Sequence, residues 1–327
     1  MKSTGKTIDL MEKQGYRLIG NHAAVKICRW TKKSLRGDGG CWKEKFYGIK
    51  SHQCCQISPW IGCNNKCVHC WRASELNFNK IIKEKEMKNP KEIIDGCIKA
   101  QRKLLTGFKS NKKIDIKKWK EAQEPMLFTM SLLGEPTIYP KLPELIREIR
   151  KRKAVSFLVT NGQNPEIIKK LEKEKSLPTQ LTLSTNAPNK KLFKIWHRST
   201  KKDIWEKFNE TILLMKKLKE KTRKIIRLTL VKKGKDKGAF KDLSNMEQEH
   251  VKQYAELIKK AEPDFVHVKG FKSLGYSRKR MGYDKQPYYE EILDFAKKLV
   301  KELKSKGYKI LAKDEISCVV LLGKSKK

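Results

Sequence analysis

The chain has 327 residues, room for one large core or a core with a small extension. Lysine and arginine outnumber aspartate and glutamate by 76 to 36, a formal net charge of +40. A lysine-rich surface bias tends to raise glutamate as well, so the surviving excess favours a polyanionic partner, nucleic acid first. No stretch approaches the roughly 18 apolar residues of a membrane span, and the first residues lack the apolar core of a secretion signal. Membrane and secreted classes are set aside; a cytoplasmic protein with no membrane partner is expected.

Residues 1 to 62 read as irregular, with a turn at RGDGGC (36 to 41). From there onward, short apolar β-rich runs alternate with Lys/Glu-rich amphipathic stretches. The runs are PMLFTMSL (125 to 132), AVSFLVT (154 to 160), QLTLST (180 to 185), KIIRLTLV (224 to 231), DFVHVKG (264 to 270) and ILAK (310 to 313). Between them, LPELIREIRKRK and IWEKFNETILLMKKLKEK repeat apolar residues at i, i+3 or i+4, the spacing of one helical face. Strand and helix taking turns predicts an α/β fold with a parallel sheet. With a strand added ahead of Cys63 the count is about six to seven units, fewer than the eight of a closed barrel. The expectation is a partial, open parallel β/α barrel over residues 56–327, preceded by a cysteine-bearing N-terminal extension over residues 1–55.

Nine cysteines in a cytoplasmic chain are poor candidates for structural disulfides. Six lie between Cys28 and Cys67 and Cys70 follows at once, a density that points to metal or redox chemistry. Cys63, Cys67 and Cys70 form C-x3-C-x2-C in the loop after the first expected strand, where barrel chemistry sits. A structural zinc asks for four protein ligands, which here means His69 joining three thiolates. An iron–sulfur cube on three cysteines instead leaves one iron open to a ligand. Upstream, Cys28, Cys41 and Cys54 are spaced thirteen and thirteen apart, with Cys55 next to Cys54. In an extended segment neighbours point to opposite faces, so one of Cys54 and Cys55 is expected in a ligand set, and spacing does not choose between them.

The triplet resembles that of the radical S-adenosylmethionine (SAM) superfamily. The resemblance implies a [4Fe-4S] cluster on Cys63, Cys67 and Cys70 whose open iron chelates SAM, and reductive cleavage of the sulfonium to a 5′-deoxyadenosyl radical. His69 stands where the superfamily usually has an aromatic residue against the adenine. SLLGEP (131 to 136) resembles the superfamily's Gly-Gly-Glu segment with Leu133 in place of the first Gly, and Glu135 would accept from the SAM ammonium. Asn161 and Ser184, each ending an apolar run, would face the cofactor, although strand-end Asn and Ser are also ordinary turn residues.

Taken in order, KSHQC, CNNKCVHCWR, SLLGEP, SFLVTNGQ and RLTLVKKG resemble a narrower family, the archaeal wybutosine-pathway 4-demethylwyosine synthases. The resemblance runs from roughly residue 20 to residue 315. It implies that Cys54, following His-Gln, joins Cys28 and Cys41 on a second [4Fe-4S] cluster and leaves Cys55 to packing. A purely structural cluster, or a Cys3His zinc with His52, is the alternative. It also implies that pyruvate donates two carbons to N1-methylguanosine-37 of tRNA-Phe, giving tricyclic 4-demethylwyosine. Lys43, two residues after Cys41, matches the position of the family lysine proposed to capture pyruvate as a Schiff base. In strand-like geometry Cys41 and Lys43 would share a face. The open iron of the second cluster is the other dock for pyruvate.

RNA contacts are expected on HRSTKK (197 to 202) and on GFKSLGYSRKRMGYDKQP (270 to 287), the latter read as a long basic loop. There Phe271, Tyr276 and Tyr283 would stack on unpaired bases while Arg278, Lys279 and Arg280 engage phosphates. Only about 60 residues precede Cys63, so an external flavodoxin- or ferredoxin-like electron donor is expected, and the chain is expected to be a monomer. Two rivals remain. Another radical SAM RNA-modifying enzyme, a methylthiotransferase or methyltransferase, does not predict the Cys28, Cys41, Cys54 ladder. A non-catalytic zinc-bearing RNA-binding protein leaves Glu135 idle.

Overall fold

The structure, a computed structural model, describes residues 2–72, 86–199, 201–218, 222–235 and 240–324. Thr200 of HRSTKK and residues 219–221 at the end of the second helical pattern lie outside the described residues. The chain divides into two compact units: Met1–Cys63 with Leu76–Val159 and Lys170–Thr179, and Asn64–Glu75 with Thr160–Lys169 and Gln180–Lys327.

The first unit opens with α1 (Lys2–Lys13), β1 (Arg17–Ile19), β2 (Ala23–Lys26), α2 (Arg29–Leu35), α3 (Trp42–Tyr47) and β3 (Cys54–Ser58). Residues 1 to 62 are thus structured and not irregular. Their helices α2 and α3 have 7 and 6 residues, too few turns for an apolar period to stand out among the lysines. α4 (Pro90–Thr106), α5 (Ile116–Glu121), β4 (Leu127–Met130), α6 (Leu142–Lys151) and β5 (Val155–Thr160) follow. β1, β2 and β3 are antiparallel in turn, and β3, β4 and β5 are parallel. Helix α4 starts on a reciprocal cap. The Asn89 side chain accepts the Glu92 N–H at 2.9 Å, Glu92 accepts the Asn89 N–H at 2.9 Å, and Pro90 begins the first turn.

After α7 (Pro165–Lys173), the second unit contains β6 (Gln180–Thr185), α8 (Lys190–His197), α9 (Ile204–Lys217), β7 (Arg223–Leu230), α10 (Gln248–Ala261) and β8 (Phe265–Gly270). It ends with α11 (Gly275–Met281), α12 (Tyr289–Glu302), β9 (Tyr308–Asp314) and β10 (Val319–Lys324). β6, β7 and β8 are parallel; β10 pairs antiparallel with β8 and with β9. ILAK therefore lies in an antiparallel hairpin and is not a further parallel unit, because the turn at 315–318 is too short for a crossover. The fold is α/β with mixed, open strand pairing; β1 is an edge strand in the first unit and β9 in the second.

Alternation along the strands of the second unit sorts its two faces. Leu183, Ile226, Leu228, Val266 and Val268 pack on Phe208, Ile212, Val251, Ile258, Phe295 and Leu299 of the helices. Ser184, Arg227, Thr229 and Lys269, one residue out of step, take the opposite face. One face builds the core; the other carries polar groups.

Candidate functional site

β3 ends at Ser58, and Cys63 is the last residue of the first unit. Cys67 and Cys70 stand in the second, linked by a turn in which the Cys70 N–H donates to the Cys67 carbonyl at 3.1 Å. All three thiols are half-buried and none is in a disulfide. Residues 64–71 are held from two elements. At the end of α8, the His197 and Trp196 carbonyls accept the Lys66 and Val68 N–H groups, each at 3.0 Å. Beyond it, Arg198 Nε donates to the Lys66 carbonyl at 2.8 Å and Ser199 Oγ to the Asn64 carbonyl at 3.0 Å. From α11, Arg280 donates through Nε to the Val68 carbonyl at 3.0 Å and through Nη2 to the Cys70 carbonyl, while the Tyr276 N–H reaches the Trp71 carbonyl at 3.0 Å.

His69 sits inside this frame. Its Nδ1 accepts from Trp196 Nε1 at 2.6 Å, which leaves the ring proton on Nε2. Withdrawal from water, with His197 and the positive charges of Arg227, Arg280 and Arg72 nearby, pulls its pKa down to about 3. The ring is neutral at any ordinary pH.

The second group of cysteines belongs to the first unit. Cys28 and Cys41 immediately precede α2 and α3, and neither thiol is spent on capping its helix. The Cys41 N–H donates to Ser51 Oγ at 2.7 Å, and that hydroxyl donates to Glu44 Oε2 at 2.5 Å. Lys43 is helical, so it does not share a strand face with Cys41. Lys43 Nζ lies 3.4 Å from Thr129 Oγ1 and 5.5 Å from the centroid of the Phe157 ring. Thr129 Oγ1 is also 3.5 Å from Cys54 Sγ. Burial pushes the Cys41 thiol up to about 11; Lys43 opposes the rise, and the Cys28 and Cys54 thiols add to it. The Cys54 thiol is raised by burial as well.

Cys55 is fully buried and its thiol is also raised, by burial and then by Cys97 of α4. His52 uses both ring nitrogens, Nε2 at 2.8 Å from Glu121 Oε2 and Nδ1 at 3.4 Å from Ser34 Oγ. With Lys50, it holds the Glu121 carboxyl down to about 2. His52 is thus not turned to the thiols as a fourth ligand. Among the described residues, no three Cys, His, Asp or Glu side chains are already gathered into a metal-binding group. The donor chemistry nonetheless fits an iron–sulfur cluster. Buried thiols kept protonated are what a metal centre converts to thiolates on binding, with release of protons.

SLLGEP folds back on the chain that leads to Cys63. The Glu135 N–H donates to the Gly62 carbonyl at 2.8 Å, and a Cβ at Gly134 would stand 2.3 Å from the Trp60 carbonyl, so only glycine permits the approach. The buried Glu135 carboxylate accepts from Thr137 N–H at 3.2 Å and Thr137 Oγ1 at 2.6 Å. Asn161 Nδ2 donates to Asn64 Oδ1 at 2.7 Å, beside the cysteine triplet. Ser184 Oγ accepts from Arg227 Nη2 at 2.7 Å. Burial, then the nearby Arg72, lowers the Arg227 pKa to about 10.

The 270 to 287 segment is less a loop than a helix with flanks. Phe271 is buried in the core and unavailable for base stacking. Tyr283 is 64% exposed, and Arg278 and Lys279 are exposed, whereas Arg280 is half-buried on the cysteine loop and not presented to phosphate. Arg198 and Ser199 of HRSTKK are committed to the same loop.

A family model described as the radical SAM superfamily matches residues 57–243, and one described as wyosine base formation matches residues 260–324. The S-adenosyl-L-methionine-dependent tRNA 4-demethylwyosine synthase of Pyrococcus abyssi is 41% identical over 315 residues, covering 96% of this chain and 87% of that protein. The chain belongs to the tRNA 4-demethylwyosine synthase family. Two solved structures are similar at 30% identity, covering 97% of this chain and 95% of theirs. One is TYW1 with a lysine–pyruvate adduct bound, at a TM-score of 0.81, and the other is archaeal TYW1, at 0.73. As a 4-demethylwyosine synthase of the radical SAM superfamily, the enzyme depends on SAM and a [4Fe-4S] cluster.

Two residues of this synthase, Thr129 and Trp196, escape sequence reasoning, and Arg280 is read there for a different role. Thr129 is a common residue type in an unremarkable position, and Trp196 and Arg280 reach their partners across 127 and 212 residues. No spacing rule announces such contacts.

Proposed function

We propose that the chain converts N1-methylguanosine-37 of tRNA-Phe and pyruvate to 4-demethylwyosine. In this reading Cys63, Cys67 and Cys70 hold the SAM cluster and Cys28, Cys41 and Cys54 hold a second [4Fe-4S] cluster. Family membership supports the reaction. The pyruvate step rests on one observation: the Lys43 amine, 3.4 Å from the Thr129 hydroxyl, is near the Cys41 and Cys54 thiols. A similar solved protein carries a lysine–pyruvate adduct, which supports giving that role to Lys43 here.

When bound, the SAM cluster supplies the electron that cleaves SAM. The residues of the chain do the remainder. Lys43, as the free amine, adds to the ketone carbon of pyruvate and water leaves, which tethers the substrate to α3. Glu135 offers its carboxylate to the SAM ammonium, and His69, Asn161 and Ser184 line the rest of the cofactor site. Exposed Arg278, Lys279 and Tyr283 present charge and a ring to RNA. A cytoplasmic monomer taking its electron from an external flavodoxin- or ferredoxin-like donor completes the reading; no described helix is long and apolar enough to cross a membrane.

Borohydride with labelled pyruvate tests the tether. The expected result is a covalent adduct at Lys43 in the full chain, and a Lys43→Ala variant that keeps its iron but makes no product. Full turnover by Lys43→Ala excludes the Schiff base.

A further inference from the structure

We infer that Arg280 is a positioning residue for the loop carrying Cys67 and Cys70, so that the wyosine-forming segment shapes the site of the SAM cluster. The inference rests on the proposed assignment of that cluster to Cys63, Cys67 and Cys70. One guanidinium takes two carbonyls, Val68 through Nε at 3.0 Å and Cys70 through Nη2, on either side of His69. A planar fork with fixed donor directions locks both peptide planes together, which a point charge on a flexible stem does not.

A second hold from the same helix is independent of that side chain. The Tyr276 N–H donates to the Trp71 carbonyl at 3.0 Å, and Gly275 has φ +52° with a would-be Cβ 2.5 Å from the same oxygen. Only glycine lets α11 seat so closely. The carbonyls of Asn64 and Lys66 are meanwhile held by Ser199 and Arg198. The loop's carbonyls at 64, 66, 68, 70 and 71 are all drawn to outside donors, and those nearest Cys70 go to α11. The gripping residues of α11 fall within 260–324, matched by wyosine base formation, and the gripped ones within 57–243, matched by the radical SAM superfamily.

Partners that orient the ligands of a metal centre typically change affinity or activity by about 10- to 100-fold when removed. The test uses the full chain, reconstituted anaerobically, as Arg280→Lys and Gly275→Ala, with iron content, thermal unfolding, the electron paramagnetic resonance spectrum with and without SAM, and SAM binding as readouts. Arg280→Lys is expected to unfold near the wild-type temperature, whereas Gly275→Ala, strained at φ +52° and pressed on the Trp71 carbonyl, is expected to stay folded but to unfold at a lower temperature. Each should show an altered spectral response to SAM and bind SAM about 10- to 100-fold more weakly. Loss of the cluster from a variant with wild-type unfolding counts in favour too. Wild-type spectra and SAM affinity in both variants would overturn the inference. Cys70→Ala separates it from the reading beneath: if that variant kept a SAM-responsive signal, the cluster assignment itself would fail.

Discussion

Thr129 Oγ1 stands 3.4 Å from Lys43 Nζ and 3.5 Å from Cys54 Sγ, a single buried hydroxyl beside both the amine and a thiol. Thr129→Val keeps the shape and removes the hydroxyl. A neutral hydrogen bond that orients the free amine is worth about 0.5–1.5 kcal/mol, so pyruvate trapping at Lys43 should slow by about two- to tenfold, with Thr129→Ser restoring it. Equal trapping by the valine variant would leave Thr129 as packing. His197 sets a different expectation. Its Nδ1 donates to the Phe193 carbonyl at 2.9 Å, its Nε2 is buried without a hydrogen-bond partner among the described residues, and burial lowers its pKa to about 4. Below about pH 6.5 the unfolded chain binds a proton there and the folded chain does not. The stability is complete above that pH and falls by about 1.4 kcal/mol per pH unit as pH drops toward 4. His69, depressed to about 3, adds to the same acid limb. His197→Gln should flatten the fall of Tm with pH in that window; an unchanged slope would contradict it. At this scale the cysteine triplet was legible because its spacing is itself the chemistry. Trp196 and Arg280 were not, since each acts only through a partner far along the chain.

Among the elements, α11 divides its labour by face. Arg278 and Lys279 are exposed, whereas Arg280 faces the cysteine loop. Reversing Arg278 and Lys279 to Glu should weaken tRNA binding and flatten the log–log salt dependence by about 0.7–0.9 for each phosphate left without its cation, without touching the clusters. An unchanged slope removes α11 from the RNA surface. Helix α4 offers a stability check, because Asn89→Ala removes half of a reciprocal cap and should cost about 1 kcal/mol by denaturant unfolding. Strands β4 to β8 could be read from sequence as apolar runs closed by turn residues. The short helices α2 and α3 could not, and ILAK could not reveal that it pairs antiparallel, since strand direction is fixed by connection length and not by composition.

For the whole molecule, the charge of +40 and the family's chemistry lead to the same substrate class. A methylthiotransferase or methyltransferase would share the triplet and the charge. It would have no use for Lys43 beside Cys41 and Cys54. The decisive measurement is nucleoside mass spectrometry of N1-methylated tRNA-Phe after anaerobic incubation with the reconstituted full chain, SAM, carbon-labelled pyruvate and reductant. The account predicts 4-demethylwyosine carrying two labelled carbons. Intact N1-methylguanosine, or a product without label, from protein that holds its clusters and cleaves SAM, would contradict it.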